Sequence, residues 1–563
     1  RYDTAGRQIR TITLPDDTSG KLSETVTVYD GTRRQSVTDG LGHTTSFVYD
    51  ALGRVITTIH PASLVEGSGT ELVETYSHVG YDSLGRKWWE SAQTRQEDPD
   101  HVDLTTETND WKRRRKVFGY DAAGRLTSVT LPGIQDPENN NTWTAPVYSY
   151  IYDDYGNQAG VVDPKGRVTV SMYDHLNRLV RTYQPFGYTG ELTAAAIYAA
   201  AVAANVPYES TSYDEHDRVL TQTDYEGHYT VFAYDAFGRV EYERHYVNAA
   251  AYNAGLPSCN ANPQIYTTYD TLGRKWFVTV QSFDSSGQAV DTARQWGYSY
   301  DDEGRTKQIT SPQGTITYGY SDITGRKTLT CKDLTDFVTR YGYDELGRLD
   351  AVQVMMRGGL DVSSEGLTRY GYDLVGNLDW AQLPNGNYTQ YSYDSQNRLR
   401  DQTNYVNSQP NAAVLSQYVY TMLADGQRKT STENVWNPAT SSYDTTTLVW
   451  DYDALNRLLT ESRNGITTEQ YIYDLVGNRL QKTTGSSTTY YFYNAQNQLE
   501  KESLQSDGST PTIQYEYNAN GSLTKKYLGP DKLTVPLDIL AYDLQRRLAV
   551  YQPHTGQAAA YTY

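Results

Sequence analysis

Over short runs of this chain, aromatic residues alternate with small or polar ones: Tyr148, Tyr150 and Tyr152; Trp296, Tyr298 and Tyr300; Tyr391 and Tyr393; Tyr418 and Tyr420; Tyr491 and Tyr493. A period of two puts successive rings on one side of an extended backbone, so each run predicts a β-strand. Most runs end on Tyr-Asp, with Gly-Arg two residues further on. The Asp carboxylate can accept backbone N–H groups as the chain enters a turn, and Gly supplies the positive φ of a tight reversal. Asn stands in for that Gly at Asn177, Asn397 and Asn456, and Asn is the next residue most tolerant of the left-handed region. A second strand is predicted after the turn, as in residues 54–61 and 125–132, closed by Pro61 and Pro132.

The unit recurs from one end of the sequence to the other. Clean copies of Tyr-Asp-x-x-Gly-Arg begin at Tyr2, Tyr49, Tyr81, Tyr120, Tyr234, Tyr269, Tyr300 and Tyr343, and looser ones include Tyr152, Tyr173, Tyr213, Tyr372, Tyr393, Tyr452, Tyr473, Tyr493, Tyr517 and Tyr542. Such a repeat means one structural unit copied many times. A lone hairpin is marginal in water, so neighbouring copies are expected to pair edge to edge in one antiparallel sheet that spirals as its strands twist. The predicted fold is all-β, a hollow shell or barrel formed by one continuous array over residues 1–563, itself a fragment of a longer chain. The site residues expected to matter are those of the turns: Tyr49, Asp50, Gly53 and Arg54; Tyr120, Asp121, Gly124 and Arg125; Tyr234, Asp235, Gly238 and Arg239; Tyr343, Asp344, Gly347 and Arg348. Their Asp and Arg side chains are expected to stack between turns as ladders of opposite charge, contributing roughly 0 to 1 kcal/mol per exposed pair.

Residues 60–76, 90–110, 133–147, 187–208, 246–265 and 405–417 read as insertions between strands. Of these, 187–208 holds an alanine-rich helix that starts at Thr189 or Thr193, and 246–258 holds a weaker one around Ala249, Ala250 and Ala251.

Composition narrows the function. Fifty-two Tyr against 9 Phe make tyrosine the bulk of the apolar material, and a ring whose hydroxyl still needs a partner suits a half-wet surface. A net charge of −19 argues against nucleic-acid binding. The basic run Lys112-Arg113-Arg114-Arg115-Lys116 reads as a solvated strand. No run of 18 apolar residues predicts a membrane span. Cys259 and Cys331 are assigned no pairing. The sequence has no Gly-x-Ser-x-Gly elbow, His-Glu-x-x-His motif or phosphate-binding loop. Asp153-Asp154 and Asp301-Asp302 belong to repeat turns rather than to a calcium loop. We therefore assign no catalytic residue, cofactor or metal, and read the protein as not an enzyme. The aromatic pairs Trp88-Trp89 and Trp276-Phe277 read as wall packing, with sugar stacking as the alternative.

The motif, its spacing and its roughly twenty copies resemble the Rhs or YD-repeat family of bacterial polymorphic toxins, insecticidal toxin complex components and teneurins. The resemblance implies a spiralling shell that encloses a toxic C-terminal domain, with an enclosed toxin or a neighbouring toxin-complex or secretion component as partner, in a secreted or cell-surface protein. A cell-surface adhesion or carbohydrate-recognition module with glycan partners is the alternative. Bacterial members typically end in paired Asp-Pro-x-Gly motifs that support self-cleavage. Here only Asp163-Pro164-Lys165-Gly166 is present, in mid-array, and that activity is not carried over to it.

Overall fold

The computed structural model describes residues 1–13, 23–65, 71–95, 114–254, 262–283, 289, 292–333, 336–408, 412–530 and 536–561. Among the described residues, forty-three strands join one sheet, and successive strands pair antiparallel as a meander. A short hairpin, Ile134–Asp136 with Thr142–Thr144, stands apart from it. The first strand, Arg10–Thr13, pairs with Ser23–Asp30, and the last, Ala559–Ala560, pairs with Leu548–Pro553. These two ends do not pair with each other, so the sheet is an open, wound ribbon rather than a closed barrel.

Its curvature is built into each repeat. At every Tyr-Asp turn the register slips by one: Val48 faces Thr57 while Tyr49 faces Val55, and Gly342 faces Ala351 while Tyr343 faces Leu349. A bulge of this kind bends its strand and adds right-handed twist, and repetition turns a small local bend into a coil.

The coil returns on itself. Hydrogen bonds join residues 293 to 351 positions apart, from Ser23 with Leu374 at one end to Glu226 with Ala519 at the other. Val65 and Met422 form a parallel bridge across the same junction. One winding therefore takes roughly 25 strands, about 120 Å of wall at ~4.8 Å per strand and ~40 Å across at the backbone. Turns follow one another on alternate edges of the ribbon, so all the Tyr-Asp turns lie on one edge. Those of the second winding press against the opposite edge of the first.

Among the described residues, a dry core occurs in one place. The helix Ala194–Ala203 lies on strands Gln158–Val162 and Arg167–Tyr173, and Ile151, Val168, Val170, Tyr183, Ile197, Ala201 and Val206 are buried together. Its N-cap is Thr193, whose hydroxyl accepts from the Ala196 N–H at 3.3 Å, and not Thr189. Gly160 allows the close approach, since a Cβ there would meet the Ile197 side chain at 2.5 Å. The second expected helix runs from Ala249 to Asn253, capped by Asn248.

Two expectations about strand ends are corrected. The strand Val55–Ser63 continues through Pro61, which sits in a register break between His60 and Ser63 where its missing N–H costs no ladder bond. The supposed insertion 60–76 is accordingly strand at both ends, resuming at Val73–Tyr81. Most of 90–110, part of 246–265 and Cys259 lie outside the described residues. Cys331 is buried.

Candidate functional site

The repeat turn is a small, complete hydrogen-bonding device. In the turn after Tyr49, the Asp50 N–H donates to the Arg54 carbonyl at 2.9 Å and the Gly53 N–H donates to the Asp50 carbonyl at 3.0 Å. The Asp50 carboxylate accepts from the backbone N–H groups of Leu52 and Arg54, at 3.0 and 2.9 Å, and from Arg54 Nε at 2.7 Å. Gly53 holds φ +82°. Asp121 with Arg125, Asp235 with Arg239, and Asp344 with Arg348 repeat the pattern, their carboxylate-to-Nε distances lying between 2.6 and 2.7 Å, and Gly124, Gly238 and Gly347 all hold positive φ.

These contacts set the electrostatics. The Arg125 side chain and backbone N–H hold the Asp121 carboxyl below the usual range, and Arg239 does the same for Asp235. Asp214 is drawn down to about 2, chiefly by the Arg218 side chain.

The Asp and Arg side chains do not stack as a continuous ladder between turns, contrary to expectation, although Arg178 also reaches Asp217 of the next turn at 2.6 Å. Each pair closes within its own turn, because four residues is the separation at which the guanidinium fork meets the carboxylate. The side chains are also half-buried rather than exposed, at 27% for Arg54 and 20% for Asp50.

The link between turns is made by the other face of the guanidinium. Arg54 lies 4.4 Å from the centre of the Tyr81 ring, Arg125 4.6 Å from Tyr152, Arg239 4.3 Å from Tyr269 and Arg348 4.6 Å from Tyr372. That tyrosine belongs to the following repeat. Its hydroxyl donates back to the carbonyl of the residue after the Arg: Tyr81 to Val55 at 3.2 Å, Tyr120 to Lys87 at 2.9 Å, Tyr234 to Val219 at 2.6 Å and Tyr343 to Lys327 at 2.8 Å. Tyr49 likewise lies under Arg33 and donates to the Arg34 carbonyl. The tyrosine ring thus receives the cation of the previous repeat and returns a hydrogen bond to its strand. Gly347 meets a second demand beyond its φ of +76°, since a Cβ there would lie 1.7 Å from the Arg326 guanidinium carbon.

Where Asn replaces Arg, the following turn changes with it. Asn157, Asn377 and Asn478 each donate to the Asp of their own turn and to the side-chain oxygen of the next turn's left-handed Asn177, Asn397 or Asn497, at 2.9, 2.9 and 2.7 Å. An amide is too short to stack on the next tyrosine, and the Asn at the Gly position supplies the acceptor that closes the gap.

The seam between windings is polar. Gln396 donates to the Pro61 carbonyl and to Ser63 Oγ, both at 3.0 Å, Gln496 to the Pro185 carbonyl at 3.2 Å, and Asn520 to Asp224 at 2.7 Å. Arg114, from the basic run read as solvated, instead pairs with Asp425 across the seam, with only 11% of its side chain exposed. The Asp163 turn lies on the same edge: Asp163 pairs with Arg167, and Lys165 reaches Asp474 at 3.2 Å. Asp301 and Asp153 are engaged with Arg305 and Asn157. Among the described residues, no group of three His, Cys, Asp or Glu is placed to hold a metal ion, and no helix is long and apolar enough to cross a membrane.

A further set of residues went unnoticed in the sequence: the glycine two places before the Asp. Gly80 faces Trp89 and Gly371 faces Trp380 across the strands, and a Cβ on either glycine would fall 1.9 or 2.0 Å from the indole nitrogen. Gly297, four places before Asp301, faces Phe277 more loosely, a Cβ there meeting the ring at 3.1 Å. The pairing of Gly-Tyr-Asp with a Trp three residues after the Arg or Asn of the same turn was the available signal.

A meander of bulged hairpins, each clamped to the next by an Arg on a Tyr, defines a YD-hairpin repeat protein. Three stretches, residues 29–64, 213–249 and 300–333, match the RHS repeat family model, so the chain carries RHS repeats there. No curated protein matches it in sequence. Among solved structures it is similar to the Photorhabdus luminescens Tc holotoxin pore carrying a TccC3 variant, at 16% identity and TM-score 0.43, covering 96% of this chain and 31% of that one. It is also similar to TcdB2-TccC3 lacking its hypervariable C-terminal region, at 14% identity and TM-score 0.42, with 96% and 31% covered. The chain thus spans about a third of the length of these solved chains.

Proposed function

We propose that this chain is a non-catalytic wall that encloses a toxic C-terminal polypeptide, as part of a secreted or injected bacterial toxin. The observation that carries this reading is the seam: a ribbon one strand thick winds past a full turn and is locked edge to edge by hydrogen bonds about 300 residues apart. Among the described residues, the extensive packing is between strands adjoining along the ribbon and of helices on their own strands, which supports an open bore inside the winding. An unstructured polypeptide joined to the C-terminus and exposed to trypsin under native conditions tests enclosure. Cleavage at least about tenfold slower than for the free polypeptide is expected, and cleavage at the free rate rejects the reading.

A second reading, a carbohydrate-binding or cell-adhesion module, draws on half-exposed Trp88, Trp143 and Trp276. It predicts glycan binding that is lost in Trp143→Ala or Trp276→Ala. A glycan array without hits rejects it.

A further inference from the structure

The hairpin Ile134–Asp136 with Thr142–Thr144 is not part of the repeat. It is inserted in the first winding and stands apart from the sheet, and repeat proteins carry contacts of their own on such insertions. Both of its ends are held. Ile134 and Asp136 are buried, and the Asp136 carboxylate accepts from the Glu138 N–H at 3.0 Å. Glu138 pairs with Lys165 at 2.9 Å, and Lys165 reaches Asp474 of the second winding at 3.2 Å. Between this fixed hairpin and the strands Leu458–Arg463 and Ile466–Tyr473 lies a cleft of about 550 Å³, within the size range of small-molecule sites.

The lining selects a kind of ligand. Gln135 and Trp143 are paired across the hairpin and so share one of its faces, while Gln470 and Ile472, two residues apart, share one face of their strand. Trp143 is 58% exposed and gives the cleft a flat apolar platform. The charged residues that line it are already matched: Arg457 with Asp453 of its own turn at 2.6 Å, and Arg114 with Asp425. The side-chain amides of Gln135, Asn141 and Gln470 are different, since none of them hydrogen-bonds to another described residue. A primary amide carries donors and an acceptor together, as the hydroxyls of a sugar require. A charged ligand would meet no unpaired counter-charge in this lining, and the net charge of −19 opposes an anionic one further.

We propose that the cleft beside this hairpin binds a neutral oligosaccharide, one pyranose ring lying on Trp143 and its hydroxyls held by the amides of Gln135, Asn141 and Gln470. The proposal rests on the carbohydrate-binding reading above and gives it a site and a ligand class. It also separates Trp143 from Trp276, which sits in a strand of the wall with its ring 4.7 Å from Phe277.

The test titrates the full chain, by calorimetry, with neutral trisaccharides of glucose, galactose and mannose, and with trigalacturonate and triglucosamine as anionic and cationic controls. Saturable binding of a neutral trisaccharide is expected, weakened at least about tenfold in Trp143→Ala and in a Gln135→Ala, Gln470→Ala double variant. Binding is expected to be unchanged in Trp276→Ala and weaker for both charged controls. Circular dichroism confirms that the variants are folded. No binding of any neutral trisaccharide, equal binding of a charged control, or full binding by Trp143→Ala overturns the proposal. If glycan-array hits survive Trp143→Ala but not Trp276→Ala, the carbohydrate reading stands and this site falls, whereas an array without hits rejects both.

Discussion

The segment from Val147 to Val206 and the strands from Arg294 to Tyr405 are built from the same hairpin and held by different forces. In the first, a helix seals one face and Val168, Val170, Ile197 and Ala201 are removed from water. In the second, strand follows strand with side chains half-buried on both faces, and cohesion comes from Arg on Tyr, Asp on Arg, and aromatic rings over glycine. Burial stabilises by area removed from water. The bare wall has little such area to offer, so it depends on many small polar couplings, each repeated and each local.

The largest effect should come from breaking the dry core. Ile197→Ala should cost about 2–5 kcal/mol, and Ile316→Ala, at a 37% exposed wall position, below about 1 kcal/mol. Amide exchange of the surrounding strands is the suitable measurement, since a long array need not unfold in one step. Equal costs would remove the distinction between the two regions.

Next in size is the wall's own packing. Gly371→Ala places a methyl where the Trp380 ring lies, 2.0 Å from its nitrogen, and should cost roughly 1–3 kcal/mol through overpacking. Exchange protection lost first in strands Thr368–Tyr372 and Leu378–Gln382 would confirm it.

A smaller loss is expected from Arg305→Lys. The charge remains, but the planar fork on Asp301 and the flat face over Tyr320 go. A quarter of the Arg305 side chain is exposed, so salt should reduce the loss.

The mildest test is acid. The Arg218 side chain holds the Asp214 carboxyl at about 2 in the folded chain, below its ordinary 3.8. The unfolded chain therefore takes up its proton first, and the turn's contribution is complete above about pH 4 and disappears as pH falls towards 2. Between pH 5 and 2.5 the bare wall should lose protection before the strands under the helix. The reverse order would show that carboxylates do not hold the wall.

Much of this was legible in the residues. Aromatic alternation located strands such as Val147–Tyr152 and Arg294–Tyr300, and the Asn substitutions marked left-handed positions, with φ of 61°, 60° and 61° at Asn177, Asn397 and Asn456. The alanine run located the helix to within a few residues. The roles of Arg and Tyr within the repeat were not legible, because a cation four residues from a carboxylate and one ring away from the next repeat satisfies both partners at once, and spacing alone does not rank them. Nor was Arg114, whose partner lies 311 residues away.

The repeat unit by itself determined the hairpin, its bulge and its coupling to the next unit, since all of these close within about forty residues of chain. Only the tertiary structure decided how many strands complete a winding and which residues meet across the seam. Those depend on a small bend summed over roughly 25 strands, and no local pattern encodes a sum that sensitive to each of its steps.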